Sequence, residues 1–242
     1  MDTYRIDLAY VGTGFHGYAT QPNVRTVQGE LDAALERVIG PVETFVAGRT
    51  DKGVHASGQV VSFSTDAAVD SDRLQRSLNK QLAPAIAVTA LGRVAEGFHA
   101  RFSATGRRYV YRILNRSAPD PFLAATSWHF STPLDVAAMN AGCEALIGQH
   151  DFASLCRAAA GKSTVRDLRV VRWTETGDMK ELEVAASSFC HQMVRSIVAL
   201  SVDVGRGRLE AGDVGRILAA RDRKKGSGAA PAHGLTLVEV SY

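Results

Sequence analysis

Four side chains of useful chemistry crowd into seven residues of this sequence. The segment Ala47-Gly48-Arg49-Thr50-Asp51-Lys52-Gly53-Val54-His55-Ala56 holds a guanidinium, a carboxylate, an amine and an imidazole between two apolar strand-like runs. A carboxylate can serve as a general base or as a nucleophile. The plain reading of such a segment is a hairpin loop whose Asp caps a turn. A second cluster argues against it. Residues 101 to 116 contain five Arg (Arg101, Arg107, Arg108, Arg112, Arg116) and no acid. Tyr109 and Tyr111 fall on the same face as Arg107 if this run is a strand of period two. Arg for phosphates and an aromatic plane for a base suit a single-stranded or flipped nucleotide.

Other motifs fail on their surroundings. Gly12-Thr13-Gly14-Phe15-His16-Gly17 fits G-x-G-x-x-G and follows a strand. A dinucleotide site needs the helix to begin inside the glycines, so that its N-terminus meets the pyrophosphate. Here Gln21-Pro22-Asn23 intervenes, and the next strand ends in Gly48 and Arg49 with no acid for a ribose. Gly161-Lys162-Ser163 resembles the end of a P-loop, but Cys156 stands where the first glycine belongs. The seven His show no ligand spacing and have no Cys or carboxylate partners, so no metal is expected.

The elements that must carry these residues follow from periodicity. Tyr4 to Val11 reads as a strand. Thr26 is an N-cap for a helix with Val27, Leu31, Leu35 and Val38 on one face. Glu43 to Ala47 and Gln59 to Phe63 are strands. Ser71 caps a helix carrying Leu74, Leu78 and Leu82, and Ala85 to Val94 is extended. In the second half, Arg107 to Leu114 is a strand and Leu134 to Ile147 a helix. Arg169 to Thr174 and Glu181 to Ala186 pair around the Gly177-Asp178 turn. Phe189 to Val204 is a helix, a short one lies near Val214 to Ala220, and Leu235 to Val240 closes as a strand. The order β-α-β-β-α-β, twice, predicts an α+β protein of two ferredoxin-like halves, 1–105 and 106–242. Their antiparallel sheets are expected to join edge to edge around a central cleft. Ala158 to Ser163 and Arg223 to Ala230 read as mobile loops.

Composition narrows the class. The chain has 242 residues, 45% apolar and 22% charged, enough for a sizeable core and unlike a disordered or collagenous chain. No apolar run approaches the roughly 18–20 residues of a membrane span. The N-terminus lacks the pattern of a secretory leader, so a cytoplasmic protein is expected. Cys143, Cys156 and Cys190 form no disulfide framework and read as three reduced thiols. The net charge is only +3, but 22 of the 28 cations are Arg. That favours phosphate recognition, although a GC-rich genome would enrich Arg as well.

These residues carry a resemblance. Gly48-Arg49-Thr50-Asp51-Lys52-Gly53-Val54-His55 resembles the G-R-T-D-x-G-V-H-A block of the tRNA pseudouridine synthase A family. Thr26-Val27-Gln28 is similar to its T-V-Q block, and Phe98-His99-Ala100-Arg101-Phe102-Ser103-Ala104 to its F-H-A-R-x-x-A block, with Tyr109-x-Tyr111 after it. Asp151-Phe152-Ala153-Ser154, Thr164-Val165-Arg166, His191-Gln192-Met193-Val194-Arg195 and Gly234-Leu235 follow in family order.

The resemblance implies isomerisation of uridine to pseudouridine at positions 38, 39 and 40 of the tRNA anticodon arm, by a homodimer, with no cofactor and no metal. It implies that Asp51 is the catalytic carboxylate and that Arg49 helps hold the nucleotide out of the stack. Tyr109 would pack against the target base, Arg195 would pair with the Asp, and Leu235 would lie near the base. Arg101, Arg107, Arg108 and Lys52 would meet the RNA more generally. The chain departs from the family where Gly17-Tyr18-Ala19 replaces G-W-Q, where Gln192 replaces a His, and where Lys52 replaces a common Ala. The competing class is a non-catalytic RNA-binding protein on the same units, given the distant likeness of Gly106-Arg107-Arg108-Tyr109-Val110-Tyr111 to an RNP1 strand. That pattern wants aromatics on two neighbouring strands, and a bare binder has no use for an Asp among phosphates.

Overall fold

The computed structural model describes residues 1–157 and 161–242, so part of the expected 158–163 loop lies outside the described residues. The described chain is mixed α/β, with five α-helices among the described residues. It divides into two compact units. One comprises Met1–Thr105 with Thr236–Tyr242, the other Gly106–Leu235.

The first unit runs β1 (Asp2–Tyr10), α1 (Val27–Ile39), β2 (Thr44–Val46), β3 (His55–Thr65), α2 (Ser71–Leu82) and β4 (Ile86–Arg93). β1 pairs antiparallel with β3 on one side and β4 on the other, and β2 pairs with β3. The strand expected to close the second half, β10 (Leu235–Ser241), lies by its pairing in the first unit: Thr236 and Leu237 run parallel to His55 and Ala56 of β3. Alternation puts Tyr4, Ile6 and Leu8 into the core. Leu31 and Leu35 of α1 and Leu74 and Leu78 of α2 are buried too.

Thr26 caps α1 as expected, its side chain accepting from the Gly29 N–H at 3.2 Å. Val38, expected on the apolar face, is exposed. The cap of α2 is Asp70 and not Ser71, because the Asp70 carboxylate reaches the Arg73 N–H at 3.0 Å.

The second unit begins with β5 (Gly106–Leu114) and β6 (Trp128–His129), which pair in parallel. Then come α3 (Val136–Cys143), β7 (Gly148–Asp151), β8 (Val165–Thr176), β9 (Met179–Ala186), α4 (Met193–Gly205) and α5 (Ala211–Ala220). Its strands are ordered β5-β9-β8-β7, each pair antiparallel. Asn140 fastens α3 to β8 by donating to the Trp173 carbonyl at 2.9 Å and accepting its N–H at 2.8 Å.

Several elements differ from expectation. The helix predicted from Phe189 begins only at Met193, because Gln192 sits in the left-handed region at φ 64° and breaks the turn before it. The helix predicted over 134–147 is shorter, giving way to a 3-10 turn at Glu144–Leu146. The 223–230 segment, read as mobile, is tied down: Arg223 donates to the Ser154 carbonyl at 3.3 Å, and the Asp222 N–H to Ser154 Oγ at 2.9 Å. Two of the three cysteines, Cys156 and Cys190, are brought side by side, their Cα atoms 5.8 Å apart. Their 34-residue separation in sequence hides a juxtaposition that only folding creates. Cys143 stays free and buried, its thiol pushed up to about 11 by burial.

β10 can lie on β3 because position 58 is Gly. A Cβ there would stand 2.2 Å from the Val238 carbonyl oxygen, a backbone atom. Gly58→Ala is expected to cost about 1–3 kcal/mol by overpacking, read as a lowered urea midpoint. Gly92→Ala on β4, where a Cβ meets nothing within 4 Å, should change stability by no more than about 0.5 kcal/mol.

Candidate active site

The Asp51 loop joins β2 to β3 and is gripped from below. Gln59, fully buried in β3, donates from Nε2 to the Gly48 carbonyl at 2.7 Å and to the Tyr10 hydroxyl at 3.1 Å. The Tyr10 hydroxyl in turn lies 2.8 Å from Thr50 Oγ1. Burial pushes the Tyr10 phenol up to about 12, against the pull of Thr50 and Gln59. The pairing of β1 with β3 slips by one residue between Leu8 and Tyr10, next to this cluster.

From the side, the loop is held by backbone. The Tyr18 N–H donates to the Thr50 carbonyl at 3.0 Å, and the Val54 N–H to the Asp51 carbonyl at 3.1 Å. His55, at the start of β3, accepts the Gly12 N–H on Nδ1 at 3.0 Å. The glycines of the rejected dinucleotide motif have a steric role here. A Cβ on Gly12 would stand 2.0 Å from the Val54 carbonyl oxygen. Gly17, at φ 96°, lies against Thr50 and Lys52, where a Cβ would fall 3.1 Å from the Thr50 carbonyl oxygen. The N-terminus of α1 completes the frame. The Val27 N–H reaches the Gly17 carbonyl at 3.2 Å, and the Gln28 N–H the Tyr18 carbonyl at 2.9 Å. The Thr26-Val27-Gln28 block therefore fixes the 17–20 segment, which fixes Thr50.

Asp51 is half-buried, and Arg49 and Lys52 are exposed. Lys52 Nζ stands 3.2 Å from His16 Nε2. Arg101 lies over the ring of Phe102, 5.5 Å from its centroid, and that ring is 76% exposed.

In the second unit, β5 carries the expected arginines and tyrosines. Tyr109 is half-buried and meets Phe189 edge-on, ring centroids 5.2 Å apart. Tyr111, which shares its face, is wholly buried and donates its hydroxyl to the Pro231 carbonyl at 2.8 Å. Burial raises its pKa far above the usual phenol value and the Arg195 charge opposes that. Tyr111 is thus a core residue and offers no plane to a base.

Arg195, in the first turn of α4, is fixed twice to Ala230: its Nε donates to the Ala230 carbonyl at 2.7 Å, and its own carbonyl accepts the Ala230 N–H at 2.9 Å. Leu235 is buried beside Gly234, whose missing side chain leaves room for the Tyr111 ring; a Cβ there would fall 2.6 Å from a ring carbon. Arg195 and Gly234 therefore lie near Tyr111, with Tyr109 two residues away on the same strand face.

The acid-free run of arginines acquires acids on folding. Arg108 faces Glu183 at 3.7 Å, and Arg112 meets Glu181 at 2.6 Å. Arg116 has Asp120 at 3.2 Å and Asp178 at 3.7 Å. Arg107 donates to the Ser187 carbonyl at 2.9 Å. Pairs this exposed are weak, so they orient the guanidinium groups without neutralising the strand. Sequence reasoning missed Tyr10, Gln59, Gly12, Gly17 and Phe189. The available signal was a Gln at a buried position of an apolar strand, and glycines directly after β1. Among the described residues no three His, Cys, Asp or Glu side chains cluster as metal ligands would, and no helix is long and apolar enough to cross a membrane.

A carboxylate on a loop held from two sides, in a chain rich in arginine, is of the class an enzyme acting on a phosphate-bearing substrate would use. Comparison with known proteins gives the class a family. The tRNA pseudouridine synthase family model matches residues 8–103 and 143–242. "tRNA pseudouridine synthase A" of Leifsonia xyli subsp. xyli is 42% identical over 99% of this chain and 91% of its own length. The protein of that name from Chloroflexus aurantiacus is 43% identical over 100% and 89%, and that from Bacillus velezensis 39% over 97% of each. A chain of the crystal structure of a Cbf5-Nop10-Gar1 complex aligns at TM-score 0.40 and 12% identity, over 97% of this chain and 48% of that one, too distant a likeness to support an inference. The chain belongs to the tRNA pseudouridine synthase family, as the sequence blocks imply. The matched spans include Asp51, Arg101, Arg195 and Leu235; Arg107, Arg108 and Tyr109 fall between them.

The loop geometry makes a testable distinction among glycines. Gly12→Ala and Gly17→Ala are expected to loosen the Asp51 loop, with a loss of about 1–3 kcal/mol and faster hydrogen exchange at the Val54 and Tyr18 amides. Gly14→Ala should leave both unchanged, since its Cβ would meet only the flexible Arg25 side chain at 3.8 Å.

Proposed function

We propose that this chain isomerises uridine to pseudouridine in the anticodon stem-loop of tRNA, at positions 38, 39 and 40, with Asp51 as the catalytic carboxylate and no cofactor. The observation that carries the reading is the Asp51 loop. Its G-R-T-D-x-G-V-H residues lie inside the matched family span, and buried side chains brace the loop on both sides of Arg49.

The chemistry asks for such a loop. The N1–C1′ glycosidic bond breaks, the base turns over, and a C5–C1′ bond forms; N1 gains a hydrogen and C5 loses one. A carboxylate can assist by attacking the substrate or by removing a proton. A target in a stem or loop must be flipped out to be reached. Arg49, exposed next to the carboxylate, is placed to hold a phosphate of the extruded nucleotide. Tyr109 offers a half-buried ring for the base, Leu235 an apolar neighbour, and Arg195 a positive charge to balance the carboxylate. Arg101, Arg107, Arg108 and Lys52 contribute phosphate contacts.

The β4-β1-β3 order of the first unit, with β2 on β3, supports reading its frame as ferredoxin-like, and the second unit as a variant of the same plan. We take the working form to be a cytoplasmic homodimer, because a chain of 25.9 kDa offers a short surface for a whole tRNA.

The test is tritium release from tRNA carrying [5-³H]uridine, since C5 gives up its hydrogen only when it bonds to C1′. The wild-type chain is expected to release tritium from substrates with uridine at positions 38–40. Asp51→Asn should release at least about 10²–10⁴-fold less while binding tRNA as well as wild type. Turnover by Asp51→Asn within tenfold of wild type would remove Asp51 from its role.

A further inference from the structure

The loop that carries Asp51 is joined to the sheet by three buried side chains, Gln59, Tyr10 and Thr50. Hydrogen inventory orients them. The Gly48 carbonyl can only accept, so the Gln59 amide must turn Nε2 toward it. The Val60 N–H, 3.3 Å from Gln59 Oε1, fits the same orientation. Both Nε2 hydrogens are then placed, one at Gly48 and one at the Tyr10 oxygen. The phenol keeps one hydrogen of its own, and Thr50 Oγ1 at 2.8 Å receives it. Burial holds that phenol protonated throughout the neutral range. The chain is therefore directional, from Gln59 to Tyr10 to Thr50, with a branch to Gly48.

The strands do not need this chain. β1 and β3 are already paired along their length by backbone bonds from Asp2–Thr65 to Tyr10–Ala56. Burying an amide and a phenol is unfavourable unless every donor is matched. What these side chains add is confined to the loop, where they fix Gly48 and Thr50 on either side of Arg49.

We propose that Tyr10 and Gln59 are positioning residues for Asp51, setting the place of its carboxylate by anchoring Gly48 and the immediately preceding Thr50. The proposal rests on the reading of Asp51 as the catalytic carboxylate. Displacement of a reacting group by about 1 Å can slow a reaction about 10²-fold, so loss of one anchor should appear in the chemical step and not in tRNA binding.

The experiment uses the full chain in excess over [5-³H]uridine tRNA, measuring the single-turnover rate, with tRNA Kd measured separately. Tyr10→Phe keeps the ring and removes the hydroxyl. Its rate is expected to fall about 10²-fold, with Kd within roughly twofold of wild type. Thr50→Val should fall equally, and Thr50→Ser, which restores the acceptor, should recover to within roughly threefold of wild type. The double variant Tyr10→Phe/Thr50→Val should be no slower than either single one, because both remove the same link. Gln59→Met, which removes both donors, should be at least as slow as Tyr10→Phe.

A folded Tyr10→Phe or Gln59→Met with a rate within threefold of wild type overturns the proposal. So does Thr50→Ser as slow as Thr50→Val, a contrast that decides the matter alone if Tyr10→Phe does not fold. An error in the Asp51 reading shows separately, as tritium release by Asp51→Asn. An inactive Asp51→Asn beside an unimpaired Tyr10→Phe would reject only the positioning role.

Discussion

A glutamine amide buried in the middle of an apolar strand constrains much of the first unit. Gln59 is wholly buried and must find partners for two N–H groups without water. It finds them in the Gly48 carbonyl and the Tyr10 hydroxyl, and that choice dictates where the chain can go. Tyr10 must end β1 within reach of β3, and the one-residue slip of the β1–β3 pairing occurs there. Gly48 must return over the sheet, and Thr50 must present its hydroxyl to the phenol. With Gly48 and Thr50 fixed, little freedom is left for the next residue, Asp51.

Close backbone packing takes up what freedom remains. The segment after β1 lies so near the Asp51 loop that only glycine fits at position 12, and at position 17 the positive φ adds a second demand for glycine. The helix cap at Thr26 and the backbone bonds from Val27 and Gln28 hold that segment in turn. Three sequence blocks far apart in the chain thus converge on one loop. The energetic logic is hydrogen-bond satisfaction and shape, with few opposed charges.

The sequence shows the apolar alternation of β1 and β3, the Thr26 cap and the leucine rows of α2, because each is a local pattern with a local cause. Asp51 is legible since its loop is dense in titratable groups. Tyr10 and Gln59 are not, since each looks ordinary until the other is beside it, 49 residues away. The same limit hides the juxtaposition of Cys156 with Cys190 and the pairing of β10 with β3. Gly12 and Gly17 are visible but misleading: a glycine needed for close approach of two loops has the same spacing as one needed for a pyrophosphate. The late start of α4 follows from Gln192, whose left-handed backbone no helical period reveals.

Neutral side chains hold the loop, and this bears on how a carboxylate can work among arginines. Gln59, Tyr10 and Thr50 carry no charge at neutral pH, the phenol because burial keeps it protonated. They fix geometry without adding charge beside Asp51, whose sequence neighbours Arg49 and Lys52 are exposed. The arginines of β5 are handled differently. Arg108 and Arg112 lean on Glu183 and Glu181, partners that are themselves partly exposed. Pairs of that kind contribute little to stability and are screened by salt, so a phosphate can replace the carboxylate at small cost. Neutral side chains thus fix the Asp51 loop in the first unit, while the cations of β5 in the second stay only loosely paired.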